Sequence, residues 1–422
     1  MNRTTTLLAA CLLLASPLAG AAVSDAEFQA LKDSLAELTR KLGDLEQKLA
    51  DAKAAEPPQA TATTQAVAAA PAPVASSWTE TVSLQGDFRY RYENIDPEGS
   101  DKRNRNRIRA RAGLVAKPQA GLEIGFGLAT GENGDPVSTN QTLGGGGSRK
   151  DIYLDLAYFD YDFAPGASLI GGKFRNFYYR PGKQGLLWDS DWNPEGMGVV
   201  YEGEVFFANA LGTYLDGDSR GSRSGETFVY GGQAGFRLPL GAARLTAGAG
   251  YYDLRVEGKQ PYYGDVDDPD FFGNSFRCGD VNDPQTCVYA NDYTELEGFA
   301  ELAINVVNLP LSLFVDYVTN TDADAFDTGW AAGVMLGQAK KKGTWELGYT
   351  YQDLEADAVL GLVSDSDFGG GGTDTSGHVL RGGYALSDKT NMAFSYFINE
   401  NGENAGSKRD YDRLQLDVNF KY

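Results

Sequence analysis

Residues 413–422 read RLQLDVNFKY, and this stretch decides the fold. Successive side chains of an extended strand point to opposite sides. Leu414, Leu416, Val418, Phe420 and Tyr422 therefore share one face, and Arg413, Gln415, Asp417, Asn419 and Lys421 share the other. The apolar face needs lipid or a protein core, the polar face needs water. Working back toward residue 77, segments of about ten residues repeat this alternation, a period typical of strands that cross an outer membrane. Short turns at 117–120, 164–167, 207–209, 239–241, 308–310, 339–343 and 387–389 alternate with long loops at 96–102, 131–149, 179–196, 216–226, 257–292, 320–328, 355–376 and 401–408. Fifteen connections imply sixteen strands. A soluble β-sandwich would have to absorb all these apolar faces and would not show the short/long rhythm of connections. The expectation is an all-β membrane protein, a 16-stranded antiparallel transmembrane β-barrel over residues 78–422. After the N-terminus no apolar run reaches the eighteen residues a helical span requires.

The N-terminal region follows a different period. Residues 1–21 read as a secretory signal peptide, with Arg3 before an apolar run from Leu7 to Leu14 and small residues around Ala19. Cys11 mimics a lipoprotein processing site, but too few apolar residues precede it and the run continues past it. In residues 22–53, Phe28, Leu31, Leu35, Leu38, Leu42, Leu45 and Leu49 recur at alternating spacings of three and four, the seam of a short α-helical coiled coil. A single helix packed on its own barrel is the alternative, but so narrow a stripe favours self-association. Residues 54–77 are rich in Ala, Pro and Thr and nearly free of charge, an extended linker.

The formal charge of −21 excludes a nucleic-acid-binding role, which needs excess cations. The cations that are present cluster. In residues 103–114, RNRNRIRARAGL, Arg103, Arg105, Arg107, Arg109 and Arg111 recur at every second position. Exposing an arginine to lipid near the bilayer midplane costs about 2–4 kcal/mol, so this face is expected to line the lumen. Arg89 and Arg91 in the first strand and Lys173 and Arg175 in the fifth are expected to extend the cationic wall. Arginine keeps its charge and offers several donors to a passing carboxylate or phosphate. The competing role is bracing, with Asp87, Glu93 or loop carboxylates pairing with the arginines.

Residues 171–196, GGKFRNFYYRPGKQGLLWDSDWNPEG, connect a fifth strand to a sixth. Here the chain resembles the family of Gram-negative outer-membrane porins with an N-terminal periplasmic coiled coil. The GKFRN strand end followed by WDSDWNPEG is the specific part, and the heptads, linker, barrel length and terminal aromatic extend the likeness over the mature chain. The resemblance implies a homotrimeric diffusion channel of the Gram-negative outer membrane with its coiled coil in the periplasm; as an alternative, the coiled coil and linker could reach toward the cell wall and tether the envelope. A loop at this position commonly folds into the lumen, which would set Asp189, Asp191 and Glu195 opposite the arginines as a constriction.

Other chemistries find little support. Catalysis needs an activated nucleophile or water, and the single histidine, His378, stands near no nucleophile motif. No cofactor motif is present, because Gly144 to Gly147 lack a following Gly-Lys-Ser/Thr. Cys278 and Cys287, nine apart in a polar stretch of an exported chain, are expected to form a disulfide; a metal site would need further ligands. Acidic outer loops could bridge through divalent cations to one another or to lipopolysaccharide, but they carry no EF-hand pattern and no metal site is assigned.

Overall fold

The computed structural model describes residues 81–217, 226–265 and 267–422, together with Arg40. The expected signal peptide and linker, and the coiled coil apart from that one residue, lie outside the described residues. Sixteen long strands run in chain order: β1 (Val82–Pro97), β2 (Arg103–Gln119), β3 (Leu122–Gly131), β4 (Asp151–Ala164), β5 (Ala167–Lys173), β6 (Glu195–Glu202), β7 (Phe206–Asp216) and β8 (Thr227–Leu240) form the first half. The second half is β9 (Ala243–Leu254), β10 (Tyr293–Val306), β11 (Leu309–Asn320), β12 (Thr328–Gly337), β13 (Trp345–Leu354), β14 (Thr375–Ser387), β15 (Thr390–Asn401) and β16 (Arg409–Lys421). Each pairs antiparallel with its neighbours, and β1 pairs with β16 from Asp87↔Lys421 to Pro97↔Tyr411, closing the barrel. Closure satisfies every edge, which is what a sheet immersed in lipid requires.

The alternation read from the sequence separates two surfaces. Leu84, Phe126, Leu154, Met197 and Leu416 are exposed on the outside, Leu84 to 65%. Arg91, Glu93, Arg107, Arg413 and Gln415 are buried inside. One expected turn is misplaced: 207–209 lies within β7, and the reversal occurs at 203–205. There the Gly203 amide donates to Phe206 O at 2.8 Å, and the Arg237 amide to Val205 O at 2.7 Å. Asn209, a residue common in turns, instead faces inward and donates to Phe177 O at 3.4 Å. A polar residue in a barrel has an interior to satisfy it, so composition alone misplaces the turn.

The interior also contains an apolar core. Leu186, Leu187, Trp188 and Trp192 from the loop after β5, and Val359, Leu360, Leu362 and Val363 from the loop after β13, pack with Tyr252, Leu254, Tyr293, Val318 and Leu354 of the wall. Leu360 is 0% exposed and Trp188 4%. Burying these side chains against inward apolar positions is worth about 1.5–3 kcal/mol each, enough to hold two loops inside the barrel. In the loop after β9, Cys278 and Cys287 are cross-strand partners of a small hairpin and are joined as a disulfide.

Candidate functional site: a constriction between an arginine wall and two loops

The wall is built by β1, β2 and β16. Register sets Arg89 opposite Arg109 and Arg91 opposite Arg107, whereas Asp87 faces Arg111 and Glu93 faces Arg105. Like charges directly opposite are unfavourable, and the next strand offsets them. Asp417 receives two bonds from Arg91, from Nε at 2.7 Å and Nη2 at 2.8 Å. Asp87 takes Arg109 at 2.9 Å and Arg111 at 2.8 Å. Glu93, fully buried, lies between Arg105 and Arg413 and pairs with both. Arg107 approaches Glu132 at 3.6 Å. Arg103 stands exposed at the start of β2.

Opposite this wall stand two loops. In the first, residues 174–194, the Tyr179 hydroxyl donates to Glu301 at 2.6 Å and the Gly182 amide to the same carboxylate at 3.0 Å. Gln184 donates to Asp316 at 2.5 Å. Trp188 and Trp192 stack at 4.9 Å, and Trp188 meets Tyr252 edge-on at 5.0 Å. In the second, residues 355–374, the Leu360 amide donates to Glu295 at 3.0 Å, and Asn274 donates to the Ala356 and Val359 carbonyls at 2.7 and 2.8 Å.

The two loops meet through a shared tripeptide. Asp189-Ser190-Asp191 and Asp365-Ser366-Asp367 each fold the first aspartate onto the amide of the second, at 2.7 and 2.8 Å, the self-capping turn that Asp favours. Backbone bonds join them: Asp189 N to Val363 O at 2.8 Å and Asp365 N to Gly185 O at 3.0 Å. The Ser366 amide donates to Asp189 at 2.9 Å. Each second aspartate then reaches the wall. Asp191 lies 3.3 Å from Arg111 and 4.0 Å from Arg109 and accepts the Thr139 hydroxyl at 3.0 Å. Asp367 lies 3.2 Å from Arg91 and 2.7 Å from Arg413.

The two positions of the tripeptide differ in proton affinity. Burial, then the charges of Asp365 and Asp191, push the Asp189 carboxyl well above the usual carboxylate range. Burial and then Asp367 push Asp365 up in the same way. For Asp191 burial acts in the same direction, but Arg109, Arg111 and Arg89 outweigh it and hold the carboxyl below the ordinary value. Arg413 and Arg91 do the same for Asp367. Each loop thus presents one readily ionised carboxylate to the wall and keeps one inward carboxyl that takes up a proton more easily.

Between wall and loops lies a cavity of about 230 Å³, bordered by Arg89, Arg91, Arg109, Asp191 and Asp367 and also by Arg180, Lys183 and Arg381. Toward the short-turn end the interior opens into a recess of about 580 Å³, again bordered by Lys183.

Three expected site residues stand elsewhere. Glu195 is not in the loop but is the first residue of β6, and it pairs with its register partner Lys173 at 2.8 Å. Lys173 is thereby paired with Glu195, and it also donates to Asn193 O at the end of the first loop at 3.2 Å. Arg175 lies past the end of β5, exposed in the loop. The strand ends at Lys173, well short of the expected loop start at residue 179, where Phe174 turns into the interior and stacks on Phe177 at 5.7 Å. Sequence reasoning misses Arg381 in β14 and the contribution of the second loop, with Asp365 and Asp367. Its signal was the repeated Asp-Ser-Asp, visible once the two stretches are set side by side. Among the described residues, no group of three or more His, Cys, Asp or Glu side chains could hold a metal ion.

A family model described as "Putative porin" matches residues 96–270 and 279–422. The chain belongs to this porin family. Membership supports an outer-membrane location, and the barrel is shared with solved porins. OprB of Pseudomonas putida superposes with a TM-score of 0.54 at 14% identity, over 82% of this chain and 95% of that one. OmpT, an outer-membrane protein of Vibrio cholerae, gives a TM-score of 0.46 at 11% identity, over 81% and 100%. A porin of Rhodopseudomonas blastica gives 0.45 at 10%, again over 81% and 100%. No curated protein matches the chain in sequence. At these identities the likeness to OprB speaks for the fold, and the arginine and aspartate constellation of this porin-family chain has to be read from its own residues.

Proposed function

We propose that the protein is a passive diffusion channel for small hydrophilic solutes and ions, its lumen narrowed where the arginine wall faces the paired Asp-Ser-Asp loops. The observation that carries this is the constriction itself. Two loops held inside a closed barrel set Asp191 and Asp367 against Arg91, Arg109, Arg111 and Arg413. These contacts pin both loops to the wall, and the cavity left beside them is bordered by charges of both signs, which orients dipolar solutes that pass it. Arg89, Arg91, Arg105, Arg107, Arg109 and Arg111 form one side, and Asp189 and Asp191 belong to the other. Folded protein in planar bilayers should give discrete open-channel currents; absence of conductance from correctly folded barrels refutes the reading.

A second reading, an anion-selective channel for phosphate or carboxylate solutes, is favoured by cations in excess of their partners. Arg180, Lys183 and Arg381 border the cavity, and among the described residues none makes an ion pair within 4.0 Å. Reversal potentials in a salt gradient distinguish the two: a strong anion preference supports the second, weak preference the first.

Self-association into a homotrimer through barrel and coiled coil, and a periplasmic reach toward the cell wall, rest on the heptads and linker. Deleting residues 24–77 separates their roles. Loss of trimers assigns assembly, whereas loss of envelope integrity with conductance intact assigns tethering.

A further inference from the structure

We infer that the 230 Å³ cavity is a binding subsite for a small hydroxylated monocarboxylate, gripped by Arg89, Lys183 and Arg381 at the meeting point of the two Asp-Ser-Asp loops. The inference rests on the channel reading, and names a solute class that pauses at the constriction.

The cations of the cavity divide into two groups. Arg91 and Arg109 are engaged with Asp417, Asp367 and Asp87 and brace the wall. Lys183 and Arg381 make no ion pair among the described residues, and Arg89 makes only one long contact. Arg89 bonds Asn140 at 2.5 Å and comes no nearer to Asp417 than 3.9 Å, and its Nε is buried without a partner. A guanidinium is a planar fork of donors suited to a carboxylate, and Arg89 borders the cavity with donor capacity its neighbours leave unfilled. Lys183 is exposed to the interior and Arg381 half-buried, both facing the same space.

The neighbouring aspartates are already committed. Asp189 accepts the amides of Asp191 and Ser366, and Asp365 accepts those of Asp367 at 2.8 Å and Phe368 at 3.3 Å. Asp189 spends both oxygens on backbone amides and Asp365 spends Oδ1, and neither forms an ion pair with Arg89, Lys183 or Arg381 among the described residues, which leaves these cations open to an incoming group.

The same aspartates set the charge of the ligand. A single carboxylate matches the free donors, whereas a dianionic phosphate would meet four aspartates around a space this small. The rest of the lining is hydroxyl and amide: Ser190, Ser366, Ser395, Asn140 and Gln415. Apolar surface is limited to Val137 and Phe397, which suits a short carbon skeleton carrying hydroxyl groups. The volume lies below that of ordinary drug-sized pockets, which limits the solute to a few carbon atoms. Lys183 also borders the wider recess toward the short-turn end, so a solute leaving the subsite keeps one cationic contact.

The test is calorimetric titration of the folded, detergent-solubilised full chain with sodium gluconate in a chloride background, with sodium phosphate and glucose as comparison solutes. Gluconate should bind saturably, and phosphate and glucose at least about tenfold more weakly, because each lacks one half of the match. Arg381→Gln and Lys183→Gln should each weaken gluconate about tenfold, and Arg381→Lys should restore part of the loss. Should Arg381→Gln fail to fold, Arg381→Lys and Lys183→Gln carry the comparison. Absence of saturable gluconate binding, tighter binding of phosphate, or unchanged affinity in the variants overturns the proposal. Because binding is read without current, a protein that conducts but does not bind gluconate refutes the subsite alone. One that binds but never conducts refutes the channel and leaves the subsite standing.

Discussion

Asp189 and Asp191 are two residues apart in one turn, yet their environments drive their protonation in opposite directions. The consequence for pH has a definite sign. Asp191 and Asp367, held down by arginines, stabilise the docked loops above the ordinary aspartate value of about 4, and that stabilisation is lost as pH falls through their depressed values. Asp189 and Asp365 are pushed up, so the stability they lend is complete below about 4 and is lost as pH rises through their raised values. Docking should therefore loosen on alkalinisation, seen as faster tryptic cleavage after the exposed Lys183. Asp189→Asn should weaken that pH dependence while keeping an acceptor for the Ser366 amide, and Asp189→Asn combined with Asp365→Asn should abolish it; an unchanged profile in the double variant would contradict the assignment. Asp191→Asn should behave differently. It removes the partner of Arg109 and Arg111, should cost loop docking about 2 kcal/mol, and should shift the reversal potential toward anions.

At the scale of elements, the turn between β10 and β11 is two residues long, with Val307 at φ 49° and Asn308 at φ 66°. Both central residues have positive φ, the mirror-type hairpin turn that matches strand twist and favours Asn-Gly. Val307 is β-branched, 88% exposed, and gains nothing there from burial. Val307→Asn should stabilise the barrel by about 1 kcal/mol, read as a higher urea midpoint of unfolding; a lower midpoint would contradict it. The hairpin bearing Cys278 and Cys287 is a different case, since it lies in a loop and not in the barrel sheet. With a separation of nine residues, loop-closure entropy gives about 2–3 kcal/mol to that hairpin alone. Cys278→Ser with Cys287→Ser should speed proteolysis of residues 255–292 and leave the unfolding midpoint of the barrel unchanged.

Considered as a whole, the molecule is a barrel with a second, soluble-type core inside it. The loops after β5 and β13 pack on one another as well as on the wall, so neither should dock fully alone. Replacing residues 357–372 by a short Gly-Ser linker removes Val363 O, the acceptor of the Asp189 amide, and should release the first loop as well. Single-channel conductance should then rise severalfold, more than Asp191→Asn produces. An unaltered conductance would mean that the second loop does not narrow the path.

What the sequence determined by itself was whatever depends on period and on solvent. Alternation along each strand, the short/long rhythm of connections and the arginines at every second position of β2 set the barrel, its strand number and the face each arginine occupies. These are local rules, and lipid on one side and water on the other enforce them along the whole strand. The exceptions are positions where a neighbour distant in sequence decided. Phe174 ends β5 early because an aromatic partner waits inside, which leaves Arg175 in a loop and pairs Lys173 with Glu195. Asn209 stays in a strand because the interior supplies its hydrogen bond. The second Asp-Ser-Asp is 176 positions from the first by number, 365 against 189, and nothing in its own stretch shows that it faces Arg91 and Arg413. Only the closed barrel brings both loops to one height, because side chains that share an enclosed interior must divide a limited set of partners among themselves.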